Sequence, residues 1–268
     1  MTSAEGQEDY PRAIAVDGAG NVFVTGFSNN GSDDDLFIAR YSSTGLFRQS
    51  KAFASLGDDE GYGIAVANDQ VFLTGRASNG LDLGGGAFTG KEGSNIFIAA
   101  FSTNLAHLWS KNFNQKGEDW AFWIATDAAA NLYITGYFTD KVDFGGGDLI
   151  ADGDDIFVAK FTAGGLHQWS KAYRSTARGA ADRGESIAVD PQGSRIYVTG
   201  YSGGPVDFGG GATAYGGGGD IFIVALDAMD SAHLWSEGFG SSSADRGRSV
   251  VVGPEGNVYL GGLSGGAI

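Results

Sequence analysis

A short strand sentence recurs five times along the chain. Its first word reads Ile14-Ala15-Val16, Ile64-Ala65-Val66, Ile124-Ala125-Thr126, Ile187-Ala188-Val189 and Val250-Val251-Val252. The starts at 14, 64, 124, 187 and 250 are separated by 50, 60, 63 and 63 residues. A period of that size is the mark of stacked supersecondary units, each too small to bury its apolar face alone. This constrains the fold before any other property is considered.

Within one period four strands can be read. Strand A is the Ile-Ala-Val run, and a tight turn such as Asp17-Gly18-Ala19-Gly20-Asn21 or Asp190-Pro191-Gln192-Gly193-Ser194 follows it. Asp bonds its own backbone two residues on and Gly supplies positive φ, so A and the next strand form a hairpin. Strand B is Val22-Phe23-Val24-Thr25-Gly26, with copies at Val71, Leu132 and Ile196. Strand C is Leu36-Phe37-Ile38-Ala39 and its copies at Ile96, Ile156 and Ile221. Strand D carries Trp109-Ser110-Lys111, Trp169-Ser170-Lys171 and Trp235-Ser236-Glu237, with Phe47 to Lys51 as a degenerate first copy. β-branched and aromatic residues dominate, and no stretch sustains a 3.6-residue period, so almost no helix is expected.

Four short antiparallel strands per repeat describe a β-propeller blade, an architecture that leaves only short, protected edges. The fold class read from the sequence is therefore all-β: a β-propeller of four-stranded antiparallel blades, four complete and a fifth holding its first two strands. Strand A, with its small Ala, suits a crowded centre, and the Trp-bearing strand D suits a wider rim. Residues 1–268 read as one domain, with repeats at about 12–53, 62–113, 122–173 and 185–239 and an incomplete one at 248–268. Gly6-Gln7-Glu8-Asp9 resembles Gly57-Asp58-Asp59 and Gly117-Glu118-Asp119, so the chain is expected to open between blades. An unpaired fifth strand B would expose backbone donors and acceptors. Further chain or a partner is expected to complete it.

The segments from Asp190 to Gly200, Val206-Asp207-Phe208-Gly209-Gly210-Gly211, Asp220-Ile221-Phe222 and Leu234-Trp235-Ser236 together resemble the bacterial SBBP β-propeller repeat. The resemblance runs through nearly the whole chain. It implies a propeller in a secreted or cell-surface bacterial protein and supplies no catalytic residues. Two departures stand out: the first repeat lacks the Val-Asp-Phe-Gly-Gly-Gly segment, and the second has Ala67 where others have Asp17, Asp127 or Asp190.

With 17 basic against 32 acidic residues the net charge is −15, which disfavours nucleic acid and anionic membrane as partners. There is no cysteine, so disulfides and thiolate chemistry are excluded. No apolar run approaches a bilayer-spanning length, and Met1-Thr2-Ser3-Ala4-Glu5 has no signal-peptide pattern. The 46 glycines, without a collagen period, belong to turns between short strands.

Propellers place the B–C and D–A connections on one face, and rigid scaffolds carry their binding residues on such loops. The B–C gaps from Gly75 to Asn95, Gly136 to Asp155 and Gly200 to Asp220 span 20, 19 and 20 positions, against 9 from Gly26 to Asp35. Two residues before each strand-A start stand Arg12, Tyr62, Phe122, Glu185 and Arg248, equivalent places with different chemistry. The third repeat is aromatic there, with Trp120, Phe122 and Trp123. Exposed rings would stack on a sugar or anchor a peptide. The plainer alternative is that they fill a gap between blades. The candidate ligand-binding set is Tyr62, Trp120, Phe122, Trp123, Glu185 and Arg248.

Acidic clusters at Asp33-Asp34-Asp35, Asp58-Asp59-Glu60 and Asp152 with Asp154-Asp155 raise calcium, which needs six to eight oxygens. Neither EF-hand spacing nor glycine-rich nonapeptides are present, and turn-forming roles are preferred. Asp155 and Asp220, with Asn95 in the same place, recur before strand C as turn caps. The Gly-Gly-Gly segments lack the Gly-Lys-Ser/Thr and helix of a phosphate loop. His107, His167 and His233 share one repeat position and read as scaffold. No catalytic residue, metal ligand or cofactor site is assigned. The expected function is a non-enzymatic scaffold binding protein or glycan on its long-loop side. The alternatives are a carboxylate enzyme acting on polysaccharide or a calcium-stabilised structural repeat.

Overall fold

The structure, a computed structural model, describes residues 8–90, 93–113 and 117–267. Gly6 and Gln7, part of the expected opening between blades, lie outside them. Among the described residues every regular element is a strand.

The first sheet holds β1 (Glu8–Val16), β2 (Val22–Asn29), β3 (Asp34–Tyr41) and β4 (Phe47–Phe53). The second holds β5 (Glu60–Ala67), β6 (Gln70–Ala77), β7 (Asn95–Ser102) and β8 (His107–Phe113). The third is built from β9 (Trp120–Thr126), β10 (Leu132–Phe138), β13 (Asp155–Phe161) and β14 (His167–Tyr173), with a small hairpin of β11 (Lys141–Asp143) and β12 (Asp148–Ile150) inserted after β10. The fourth holds β15 (Arg183–Val189), β16 (Arg195–Ser202), β17 (Asp220–Asp227) and β18 (His233–Phe239), and β19 (Arg246–Val252) pairs with β20 (Val258–Leu263). Strand order in each four-stranded sheet follows the chain. The inserted hairpin is not visible as alternation, because Lys141-Val142-Asp143 is too short to show a period of two.

The chain divides into two compact units, residues 1–124 and 125–268. In the first unit β5 lies against β1, β2 and β3 of the preceding sheet. The core between them includes Phe23, Leu36, Ile38, Val71, Leu73 and Phe97, all essentially inaccessible. In the second unit β15 lies against β10 and β13, and β19 against β15, β16 and β17. Tyr197, Ile223, Ala225 and Val250 form part of that core. Burying one such aromatic or aliphatic side chain contributes about 1.5–3 kcal/mol.

One contact explains why strand B ends in Thr-Gly. The hydroxyls of Thr25, Thr74, Thr135 and Thr199 each donate to the carbonyl of the strand-C Phe (Phe37, Phe97, Phe157 and Phe222) at 2.7–2.8 Å. The same hydroxyl fills the space a β-carbon would need at Gly61, Gly184 or Gly247 on the next sheet. A polar group is thereby satisfied between two β-sheets while their backbones come close.

Candidate functional site

Four of the residues two before a strand-A start owe their placement to a backbone irregularity. Pairing of A with B skips one residue between Pro11 and Ala13, Gly61 and Gly63, Gly184 and Ser186, and Gly247 and Ser249. The residues skipped are Arg12, Tyr62, Glu185 and Arg248. A β-bulge leaves its extra residue unpaired and re-aims its side chain, which suits loop-end recognition.

In the first unit these residues converge. Tyr62 stacks on Trp120, with ring centroids 5.6 Å apart and planes 22° apart. Phe122 meets Tyr62 edge-on at 5.4 Å and Trp120 at 5.9 Å. The Arg12 guanidinium lies 5.0 Å over Phe27 and 5.5 Å over Tyr62. Arg76 covers Trp120 at 4.5 Å. Beneath them Glu60, 3% exposed, accepts from Arg76 Nε at 2.9 Å, while Asp58 meets the same guanidinium at 3.0 Å. Burial first, then the Glu60 carboxylate, pushes the Tyr62 phenol upward, so it stays protonated. The three rings are half-buried. Trp123, also half-buried, is a neighbour of Gly63 through its backbone and is not brought into the ring cluster by any contact described.

In the second unit Glu185 and Arg248, equivalent residues of consecutive repeats, form an ion pair at 3.0 Å. Both are committed to each other, with the Glu185 side chain only 11% exposed.

The loops around these residues are tied together by an aspartate that spacing could have revealed. Asp59, Asp119, Asp182 and Asp245 each stand five before a strand-A start, and all four are buried. Asp59 accepts from the Ser78 amide at 2.7 Å. Asp182 accepts from Ser175 at 2.6 Å and Gly203 at 2.8 Å, and Asp245 from Ser241 at 2.7 Å and Gly265 at 2.9 Å. The Asp59, Asp182 and Asp245 carboxylates therefore anchor residues just past strand B, and in the second unit the incoming D–A connection as well. Burial raises Asp59 and Asp155 to about 6 and also raises Asp182. At 0–1% exposure no substrate reaches these three acids.

Several other acids are spent locally. Asn29 and Asn30 amides reach Asp34, Asp33 and Asp35 at 2.7–3.0 Å. Asp152 faces Arg174 at 3.7 Å. Among the described residues no group of three or more His, Asp or Glu would hold a metal ion. Asp82, Asp143 and Asp207 each accept two amide N–H groups from their own Gly-Gly-Gly run at 2.7–3.0 Å, which occupies donors a phosphate would require. His107, His167 and His233 pair with Ser110, Ser170 and Ser236 at 3.0–3.1 Å and pack under those glycines.

A family model for the SBBP beta-propeller repeat matches residues 3–32 and 175–206. Two stretches of the chain thus match the SBBP repeat. Both matched stretches hold strand A, strand B and the bulge between them, and the second also holds the buried Asp182. No curated protein matches the sequence. Among solved structures, Sqt1 from Chaetomium thermophilum is similar at 13% identity and TM-score 0.42, covering 96% of this chain and 68% of its own. Kuenenia stuttgartiensis hydrazine synthase is similar at 13% identity and TM-score 0.40, covering 94% and 83%. A Synechocystis apocarotenoid oxygenase mutant is similar at 14% identity and TM-score 0.41, covering 97% and 51%. No helix among the described residues is long and apolar enough to cross a membrane.

Proposed function

We propose that the SBBP repeats form one propeller domain over residues 1–268, four blades and the first half of a fifth. It acts as a non-enzymatic binding module of a secreted or cell-surface protein. The observation that carries the reading is the meeting of Tyr62, Trp120 and Phe122 beside the 45%-exposed Arg12 side chain at the end of the strands where the long loops begin. Preassembled rings lose little entropy on contact, and an arginine over their faces adds a directional cation. A glycan or a peptide presenting an apolar face suits that surface. The carboxylate-enzyme alternative gains no support from acids sealed at 0–1% exposure.

The test is titration with cell-wall oligosaccharides and with peptide libraries, read by tryptophan fluorescence. Binding is expected in the wild type and is expected to weaken at least roughly tenfold in Tyr62→Ala and Trp120→Ala, the range of an interface hot spot. Unchanged affinity in both variants would remove the aromatic cluster from any binding role.

A further inference from the structure

Arg183 and Arg246 occupy the same repeat position, yet only one has a carboxylate. Arg183 lies 4.1 Å over Tyr137, and its Nε donates to Asp154 at 2.9 Å. Arg246 lies 4.5 Å over Tyr201 in the same manner. The residue that corresponds to Asp154 is Gly219, because Asp154-Asp155-Ile156-Phe157 aligns with Gly219-Asp220-Ile221-Phe222. Backbone hydrogen bonds confirm the match: the Asp182 amide donates to the Asp154 carbonyl at 2.8 Å, and the Asp245 amide to the Gly219 carbonyl at 2.7 Å.

The space that the Asp154 side chain fills in one repeat is open in the next. A β-carbon on Gly219 would meet nothing within 4 Å. A cleft of about 300 Å3 lies there, lined by Arg246, Tyr201, Tyr215, Gly218 and Gly219. Tyr215 is 38% exposed and offers a phenol on the same cleft. Arg183 is matched to Asp154, Arg248 to Glu185, and the Asp245 carboxylate to the Ser241 and Gly265 amides, while the buried Asp220 beside Gly219 keeps one carboxylate oxygen without a hydrogen-bond partner. Arg246 has no acidic partner among the described residues.

We propose that this cleft binds a carboxylate, which takes on Arg246 the place that Asp154 takes on Arg183. A guanidinium held by a tyrosine face is oriented in advance, and its planar fork matches two carboxylate oxygens. The cleft exceeds an acetate, so the acid arrives on a larger body, either a sugar acid or a peptide terminus. This site is separate from the aromatic cluster of the first unit and stands whether or not that cluster binds anything.

The full chain is titrated by calorimetry with acetate, glucuronate and N-acetylglycine, with glucose as the uncharged control. One saturable carboxylate site is expected, and none for glucose. Arg246→Gln is expected to weaken it roughly tenfold or more, the scale of one charge-assisted contact. Arg195→Gln, at the exposed far end of β16, is expected to leave it unchanged. Preference for glucuronate identifies a sugar acid, and preference for N-acetylglycine a peptide terminus. Asp154→Gly, which empties the equivalent space beside Arg183, is expected to add a second site per chain. Absence of saturable carboxylate binding, or equal affinity in Arg246→Gln, overturns the proposal.

Discussion

The Thr199 hydroxyl stands where a β-carbon on Gly247 would have to be, while donating at 2.7 Å to the carbonyl of Phe222. Thr135 does the same to Gly184 and Phe157. One side chain thus fixes both the internal register of a sheet and the approach of the next.

Substituting Gly184→Ala should force the fourth sheet away from the third and cost about 1–3 kcal/mol, as overpacking does. Thr135→Ala should also destabilise, by about 1–3 kcal/mol, because the buried Phe157 carbonyl loses its donor. The double variant should lose less than the sum, since removing the hydroxyl makes room for the methyl. Denaturant unfolding of the three proteins checks this, and strict additivity would refute the shared-space argument.

Asp155 is 1% exposed, and neither carboxylate oxygen has a hydrogen bond of normal geometry. Burial first, then the charges of Asp152 and Asp182, raise it to about 6, against the opposing pull of Arg174. A folded-state value above the unfolded one means the fold favours the protonated acid. That contribution is present in full below about pH 4 and is lost as pH rises through about 6. Asp155→Asn, which copies Asn95 of the second repeat, should therefore raise stability at pH 7.5 by about 1 kcal/mol after allowing for solvent screening, and change little at pH 4. Thermal melts at the two pH values measure it.

Asp82, Asp143 and Asp207 pull the other way. Amide donors from their own glycine runs, the residues two and four further on foremost, lower all three below the usual carboxylate range. Their stabilisation is present above the unfolded value of about 4 and is lost as pH falls further. Together with Asp59 and Asp155, whose contribution declines as pH rises from about 4 through 6, they place the optimum of stability for these groups near pH 4. Asp143→Ala and Asp207→Ala should each lower the melting temperature at neutral pH and flatten the acid limb of the profile.

Arg248→Gln leaves the largely covered Glu185 carboxylate without its cation. A loss of about 1 kcal/mol is expected, smaller at high salt because Arg248 itself is half exposed. A melting temperature insensitive to both the substitution and salt would show the pair to be idle.

The repeat by itself determined the strands. Alternation and β-branching set where each of A, B, C and D runs, because a strand's periodicity is local and repeats reinforce it. The SBBP resemblance rested on the same words and agrees with the two stretches the family model matches. Only the tertiary structure decided what the loop-end residues do. A bulge such as that at Tyr62 has no composition of its own, so the sequence offered the position but not its aim. The ring cluster, the Glu185–Arg248 pair and the unmatched Arg246 arise between consecutive repeats, where residues about 60 positions apart meet. Gly219 shows the physical reason most plainly: as a letter it is one of 46 glycines, and only beside Arg246 does the missing carboxylate become visible.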